Sequence, residues 1–368
     1  MPKVIVLLFT CAFATSAYTQ TPPWENSLMI AWSTDGITFD QPSVFQDSAG
    51  VPSAVRWRGD TLACVFQWFR QPQPSPTWDR VAVKFSYDNG DTWTQPEPIV
   101  VNGLPPNYQR PFDPTLAALD NYSLRIYFSS SDGMPMGLDS TVNTYSAVST
   151  DGIHFAFEPG ARVDVIDNRV IDPAVIHFGP GWHYAAPAGA PQDGAYHYLS
   201  PDGINFNMVP MIPSDPMHNW TGNYMVNSPN ELRFYGSAPG NIWYNSSPNG
   251  GQWNGFVSTN VQGGDPTVVR VDANSYFMVY VGQPYATNIV ERSPTGTLQV
   301  FPVPASNELV VRASGSGRLM VYDVQGRSML DRRVTAEERL DVATWPTGCY
   351  VFRFVLERVV LEERVLVE

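Results

Sequence analysis

Between residues 28 and 282 one short turn recurs five times, and that repeat constrains the fold more than any other feature of the chain. Ser33-Thr34-Asp35-Gly36-Ile37-Thr38-Phe39, Ser149-Thr150-Asp151-Gly152-Ile153-His154-Phe155 and Ser200-Pro201-Asp202-Gly203-Ile204-Asn205-Phe206 share the pattern Ser-x-Asp-Gly-x-x-aromatic. Ser247-Pro248-Asn249-Gly250-Gly251-Gln252-Trp253 carries Asn for Asp, and Ser86 to Trp93 is one residue longer. Asp-Gly or Asn-Gly between two β-like runs marks a hairpin: Gly accepts a positive φ and the Asp side chain bonds the turn backbone.

A second pattern alternates with the first. A strand opening in Asp-Pro leads through a short turn into an aromatic-rich strand at Asp113-Pro114, Asp172-Pro173 and Asp265-Pro266. Two divergent copies begin at Val51-Pro52 and at Asn223-Tyr224. The series starts on a turn motif and ends on a strand pair, so the chain contains four complete turn-and-pair units and two complementary halves. Pairing the N-terminal half, Leu28 to Phe39, with the C-terminal half, Asp265 to Gly282, closes a ring of five four-stranded sheets with no long exposed edge. A sandwich of many hairpins leaves the two halves unexplained. The expectation is an all-β protein: a five-bladed β-propeller over residues 24–290, a linker at 291–300 and a small β-sandwich at 301–368.

Composition agrees. Charged residues make up 15% of the 368, low for a protein built on exposed helices. The net charge is −13 and Lys or Arg form no run, which argues against nucleic acid as a partner. Residues 20–307 hold 25 acids against 12 bases, and only five of those acids are Glu: Glu25, Glu97, Glu158, Glu231 and Glu291. An Asp-rich, Glu-poor segment favours turns.

At the N-terminus, Lys3, the apolar run Val4 to Ala14 and the small residues Thr15-Ser16-Ala17 form a secretory signal peptide over residues 1–19, too short to span a bilayer. Cys11 lies inside it, and Leu8-Phe9-Thr10-Cys11 is a poor lipoprotein box. Cys64 and Cys349 fall in different expected domains, which suits two separate buried thiols rather than a disulfide. The five histidines lack ligand spacing for zinc.

The tail alternates apolar and polar residues with regular turn signals. Pro302-Val303-Pro304-Ala305, Tyr322-Asp323-Val324-Gln325-Gly326-Arg327 and Gly348-Cys349-Tyr350-Val351-Phe352 occur in order. The series resembles the C-terminal sorting domain of the type IX secretion system. That resemblance implies export through the periplasm, with the secretion machinery as a partner and the cell surface or the medium as destination.

The repeat region resembles the five-bladed arabinanase/xylosidase superfamily of glycosidases, and the longer turn Ser86 to Trp93 resembles the Asp box of sialidase-type propellers. The first resemblance implies an Asp base, an Asp that orients and tunes the acid, and a Glu acid at the heads of inner strands on successive blades, acting on glycan. Those heads are expected to be Val51, Asp113, Asp172, Asn223 and Asp265. Placing the first two roles on Asp113 and Asp172 puts Asn223 where the acid belongs, and an amide does not donate a proton as a carboxylic acid does. A rotated assignment uses Asp265 as base and also lacks a Glu. Arg110 and Arg169, each three residues before an Asp-Pro, are candidates to bind sugar hydroxyls or carboxylates, or to satisfy those aspartates. Trp68, Trp182 and Trp220 are candidate stacking platforms for sugar rings, or core. A central calcium or similar cation remains open. Two readings stand side by side: a secreted glycoside hydrolase, or a surface protein that holds glycan or protein in the same funnel without turning it over.

Overall fold

The computed structural model describes residues 26–69, 78–119, 122–132, 142–166, 168–282, 297–356 and 359–368. The expected signal peptide lies outside them, as does most of the expected linker. The chain forms two units, one up to residue 285 and one from residue 286.

The first unit opens with an antiparallel hairpin, β1 (Ser27–Ser33) and β2 (Phe39–Asp47). Blade one follows as β3 (Ala49–Arg58), β4 (Thr61–Phe69), β5 (Trp78–Ser86) and β6 (Glu97–Pro98). Blade two comprises β7 (Val100–Asn102), β8 (Phe112–Ala118), β9 (Leu124–Ser131), β10 (Val142–Ser149) and β11 (His154–Val163). Its β7 adds an unexpected fifth strand, pairing parallel with β11 from Val100↔His154 to Asn102↔Ala156. Blade three is β12 (Ala174–Phe178), β13 (Gly181–Pro187), β14 (Ala195–Ser200) and β15 (Asn207–Met208). Blade four is β16 (Asn219–Ser228), β17 (Glu231–Ser237), β18 (Asn241–Ser247) and β19 (Phe256–Gln262). The last strands, β20 (Gly264–Asp272) and β21 (Ser275–Val281), complete blade five with the N-terminal hairpin in the order β20-β21-β1-β2. Six residue pairs from Leu28↔Val281 to Ser33↔Tyr276 join its two halves.

The inner strands touch in ring order, β3 to β8, β12, β16, β20 and back to β3. Five hydrophobic clusters lie between successive blades. Phe85 of blade one packs with Ile126 of blade two, Tyr127 of blade two with Tyr184 of blade three, and Ala185 with Phe234 of blade four. Tyr235 then packs with Met278 of blade five, and Phe277 with Phe66 of blade one. Alternate residues of one strand serve opposite clusters, as the period of two requires: Tyr276, Met278 and Tyr280 face blade four, whereas Phe277 and Val279 face blade one. This two-sided burial explains the apolar, aromatic-rich strands.

All five turns share one hydrogen-bond scheme. The Ser hydroxyl accepts from the Gly amide at 2.8–2.9 Å, as in Gly36, Gly90, Gly152, Gly203 and Gly250. The Asp or Asn side-chain oxygen accepts from amides beyond the Gly. Each Gly has a positive φ and sits against a side chain of the preceding blade: Gly36 on Arg233 and Tyr235, Gly90 on Trp32, Gly152 on Phe85, Gly203 on Tyr127 and Gly250 on His183. A Cβ at these positions meets a neighbouring blade, so Gly is required for docking as well as for φ. The turns are therefore structural latches between blades.

His183 on β13 and His197 on β14 stack with ring centroids 6.1 Å apart, both buried. Burial pushes both imidazoles down, His197 to about 4, with the His183 charge adding to the effect on His197. A group whose folded pKa lies below its unfolded value near 6.5 binds fewer protons when folded, so its stability contribution falls as pH drops from about 6.5 toward 4. The wild type is expected to lose a few kcal/mol relative to His197→Asn over that interval. Denaturant unfolding of both proteins at pH 7.5 and 4.5 checks this; the comparison cancels the opposite drift of the buried aspartates described below.

The second unit is a sandwich. One sheet is β22 (Leu298–Phe301), β23 (Glu308–Ala313) and β26 (Glu337–Asp341); the other orders β25 (Ser328–Val334), β24 (Gly317–Asp323), β27 (Gly348–Leu356) and β28 (Val359–Val367). Leu309, Val311, Leu319, Val321, Phe352 and Phe354 fill the space between them. Cys64 is buried in the propeller and Cys349 partly buried in the sandwich, both unbridged.

Candidate functional site

Four of the five inner strands start with a bulge against the neighbouring strand, between Gly50 and Ser53, Phe112 and Thr115, Asn219 and Gly222, and Gly264 and Thr267 in blades one, two, four and five. Inside the bulges, and at the matching place in blade three, the backbone turns left-handed: φ is 48° at Val51, 48° at Asp113, 53° at Asp172 and 45° at Asp265. Each of the four precedes a buried proline. Left-handed conformations are costly for such residues, above all for β-branched Val, and persist where the surroundings over-determine them.

The pairing corrects one expectation. Residues paired with the turn serines fix the register: Leu62, Leu124, Trp182, Leu232 and Tyr276 face Ser86, Ser149, Ser200, Ser247 and Ser33. Three residues further along these strands, the inner-strand partners are Ser53, Thr115, Ala174, Asn223 and Thr267. Asn223 therefore belongs two positions deeper than Asp113, Asp172 and Asp265, and Thr221 occupies the fourth head. The blade-four bulge, which leaves Trp220 and Thr221 between Asn219↔Ser237 and Gly222↔Gly236, and the lack of an Asp-Pro dipeptide hide this shift in the sequence.

The three aspartates come together at one end of the axis. The Asp172 amide donates to Asp113 Oδ2 at 3.4 Å. Burial first, then the Asp265 charge, pushes Asp113 up to about 7, while the Asp172 amide and the nearby Ser129 hydroxyl pull it down. Burial pushes Asp265 up to about 6. Asp172 is raised well above the usual range by burial and by the charges of Asp113 and Asp265, with Arg169 opposing. The Asp172 amide favours the ionised form of Asp113, whereas Asp172 faces two like charges. A cavity of about 10 Å³, lined by Val51, Asp172, Thr221, Asn223 and Asp265, opens here. That is room for about one water molecule.

A polar floor closes this cup. Asn223, 9% exposed, accepts at Oδ1 from the Thr115 hydroxyl at 2.8 Å and donates from Nδ2 to the carbonyls of Pro52 at 3.0 Å and Pro266 at 3.4 Å. Ser53 lies 3.1 Å from the Thr115 hydroxyl and accepts from the Leu116 amide. The Thr267 hydroxyl accepts from the Ala54 amide. On the other side of Asn223 lies a second cavity of about 250 Å³, walled by Val55, Ala117, Ile176, Met225 and Val269.

The remaining candidates separate. Arg110 ion-pairs with Asp79, whose backbone carbonyl also accepts from Arg110 Nε at 2.9 Å. Asp79 is buried with Gln67 bonded to it; neither lies in a repeat motif, and sequence reasoning missed both. Arg169 is exposed and acts on Asp172 through its charge. Trp68, which pairs with Ala49, is partly exposed at the end of its blade where the aspartates sit. Trp182 is corrected: it is 8% exposed and pairs with Ser200 at the turn end, away from the cup. Trp220, 1% exposed, is also corrected, being enclosed by Phe234, Trp243 and Trp253 in the core of blade four. Glu231 bonds Arg233 and Asn227 at the far end of β16 and does not join the aspartates. Among the described residues no group of three His, Cys, Asp or Glu side chains is arranged to hold a metal ion, so the three aspartates do not fit direct coordination of a central cation.

Residues 299–368 match the family described as secretion system C-terminal sorting domain. The sandwich is therefore a sorting domain, and the protein is sent to the cell surface or beyond. No helix among the described residues is long and apolar enough to cross a membrane. No curated protein matches the chain. Among solved structures, a protein of unknown function from Dyadobacter fermentans is similar at 15% identity, covering 69% of this chain and 84% of its own, with a TM-score of 0.45. A family 117 glycoside hydrolase from Zobellia galactanivorans is similar at 11% identity, covering 70% and 91%, with a TM-score of 0.44. A Bacillus subtilis arabinanase is similar at 15% identity, covering 63% and 93%, with a TM-score of 0.44.

Proposed function

We propose that this exported propeller engages glycan at the aspartate cup and cleaves it, with proton transfer supplied by aspartates alone. The convergence of Asp113, Asp172 and Asp265 at one end of the axis carries the reading. Glycoside hydrolysis needs one carboxyl group that donates a proton to the leaving oxygen and one that activates water or attacks carbon. Asp172, raised by burial and two like charges, holds its proton more firmly than an ordinary carboxyl group and takes the donor role that a Glu fills in the family this chain resembles. Asp113, whose carboxylate accepts from the Asp172 amide, or Asp265 serves as base. Trp68 offers a stacking surface at the same end.

The small cup favours a second reading. A cavity that admits one water leaves the sugar above the ring, an arrangement that also suits glycan binding without turnover. A panel of arabinan, xylan, fucosyl and sialyl substrates, assayed for release and for binding, separates the two. Release by the wild type that is lost in Asp113→Asn supports hydrolysis. Binding without release, insensitive to Asp113→Asn and lost in Trp68→Ala, supports the second reading. Neither release nor binding across the panel removes glycan from the account.

A further inference from the structure

We propose that Asn223 is a positioning residue: it ties the heads of blades one, two and five together and seals the aspartate cup from the cavity on the other side of the axis. The hydrogen-bond directions admit one arrangement. The Thr115 hydroxyl gives its one hydrogen to Asn223 Oδ1, so it accepts from the Ser53 hydroxyl, which in turn accepts from the Leu116 amide. The Asn223 amide group then spends its hydrogens on the carbonyls of Pro52 and Pro266. Those prolines directly follow Val51 and Asp265, and Thr115 lies two residues after Asp113. One side chain thus fixes three left-handed heads, two of which carry carboxyl groups. Only an amide offers an acceptor and two donors on so short a stem; Asp supplies no donors, and Ser too few. Blade three contributes Ala174 to this layer, so its head is not tied by the network.

Among the described residues Asn223 alone lines both cavities. Truncating it joins about 250 Å³ of open space to the base of the cup and lets water reach carboxyl groups that burial now raises. The proposal rests on the cup being the working end of the molecule, but its test does not use turnover. Carboxyl ¹³C titrations of aspartate-labelled full-length protein, assigned with single Asp→Asn variants, are followed in the wild type, Asn223→Ala and Thr115→Val, each with a thermal melt. In Asn223→Ala the Asp113 and Asp265 midpoints are expected to fall by about one unit or more toward the ordinary carboxylate range. In Thr115→Val, which removes one hydroxyl at nearly constant volume, Asp113 is expected to move and Asp265 to stay. Unchanged midpoints with a lowered melting temperature give Asn223 a merely structural role and overturn the proposal. If Asn223→Ala does not fold, Thr115→Val decides alone, and an unmoved Asp113 overturns it. Failure of the cup as a glycan site is a different result, read from the substrate panel.

Discussion

Replacing Asp172 by Asn is expected to cut glycan release by about 10²–10⁴-fold, the range general acid catalysis contributes, while the protein melts at or above the wild-type temperature. The amide cannot give a proton to the leaving oxygen, yet it keeps the shape of the carboxyl group and the backbone N–H that donates to Asp113. It also removes a half-buried group that Asp113 and Asp265 push toward neutrality. Among buried acids a neutral isostere costs little, because the charged form was already disfavoured. The pair of readouts, kcat/KM on the substrate chosen by the panel and thermal melting, separates chemistry from folding. A loss below tenfold with the fold intact contradicts the donor role.

Deleting residues 27–47 is expected to abolish cooperative folding of the propeller. This segment supplies the two outer strands of blade five, and Leu28, Met29, Ile30, Ala31, Phe39 and Phe45 are buried from it. Burial of each large side chain contributes roughly 1.5–3 kcal/mol, so their combined loss rivals the entire stability of about 5–15 kcal/mol of an ordinary domain. The deletion also bares the whole edge of β21, which now pairs with β1, and leaves the turn at Gly36 missing from its seat on Arg233 and Tyr235. Moving the same segment to a position after Gly282, as a circular permutant, restores it to the same strand pair. Circular dichroism melts of both variants check the claim: the propeller transition is absent from the deletion and sharp in the permutant, with the transition of the sandwich unit kept in both. A deletion that melts like the wild type contradicts closure through these two halves.

The ring was legible because repetition makes it countable. Five Ser-x-Asp/Asn turns and five strand pairs, with complementary leftovers at the two ends, state the blade number and the closure without any knowledge of packing. The strands between them carry a period of two on both faces, which the five interblade clusters confirm. The tail was legible for a different reason: its motifs occur in order and match a sorting domain. What stayed hidden was register. Asn223 lies two positions beyond the head, in the floor beneath the ring, and the motif around it, lacking the Asp-Pro dipeptide, gives no place to anchor the count. Counting back from Ser247 through Leu232 to its inner-strand partner recovers the alignment, and the same count predicts Ser53, Thr115 and Thr267 as the floor.

Aromatic residues misled for a physical reason as well. A tryptophan at a strand end is as useful between blades as above a funnel, and the sequence does not say which end of a blade it occupies. Trp182 pairs with the turn serine Ser200, which puts it at the turn end; Trp68 pairs with Ala49, which puts it beside the heads. Arg110 found its partner in Asp79, on a different blade and outside any repeat. The acid excess, in contrast, resolves into two kinds of site. Asp35, Asp88, Asp151 and Asp202 bond turn amides and are held below the usual carboxylate range, although burial opposes this. Asp113, Asp172 and Asp265 share a cup that raises them.

That contrast is directly measurable in the wild-type protein. Titrating the aspartate carboxyl carbons by ¹³C NMR is predicted to show Asp113 near 7, Asp265 near 6 and Asp172 above the ordinary carboxylate range, while the turn aspartates titrate below it. Three inner-strand aspartates that titrate together with solvent-exposed carboxyl groups near 4 would mean that they share no buried cup, and the proton-transfer site would fall with it.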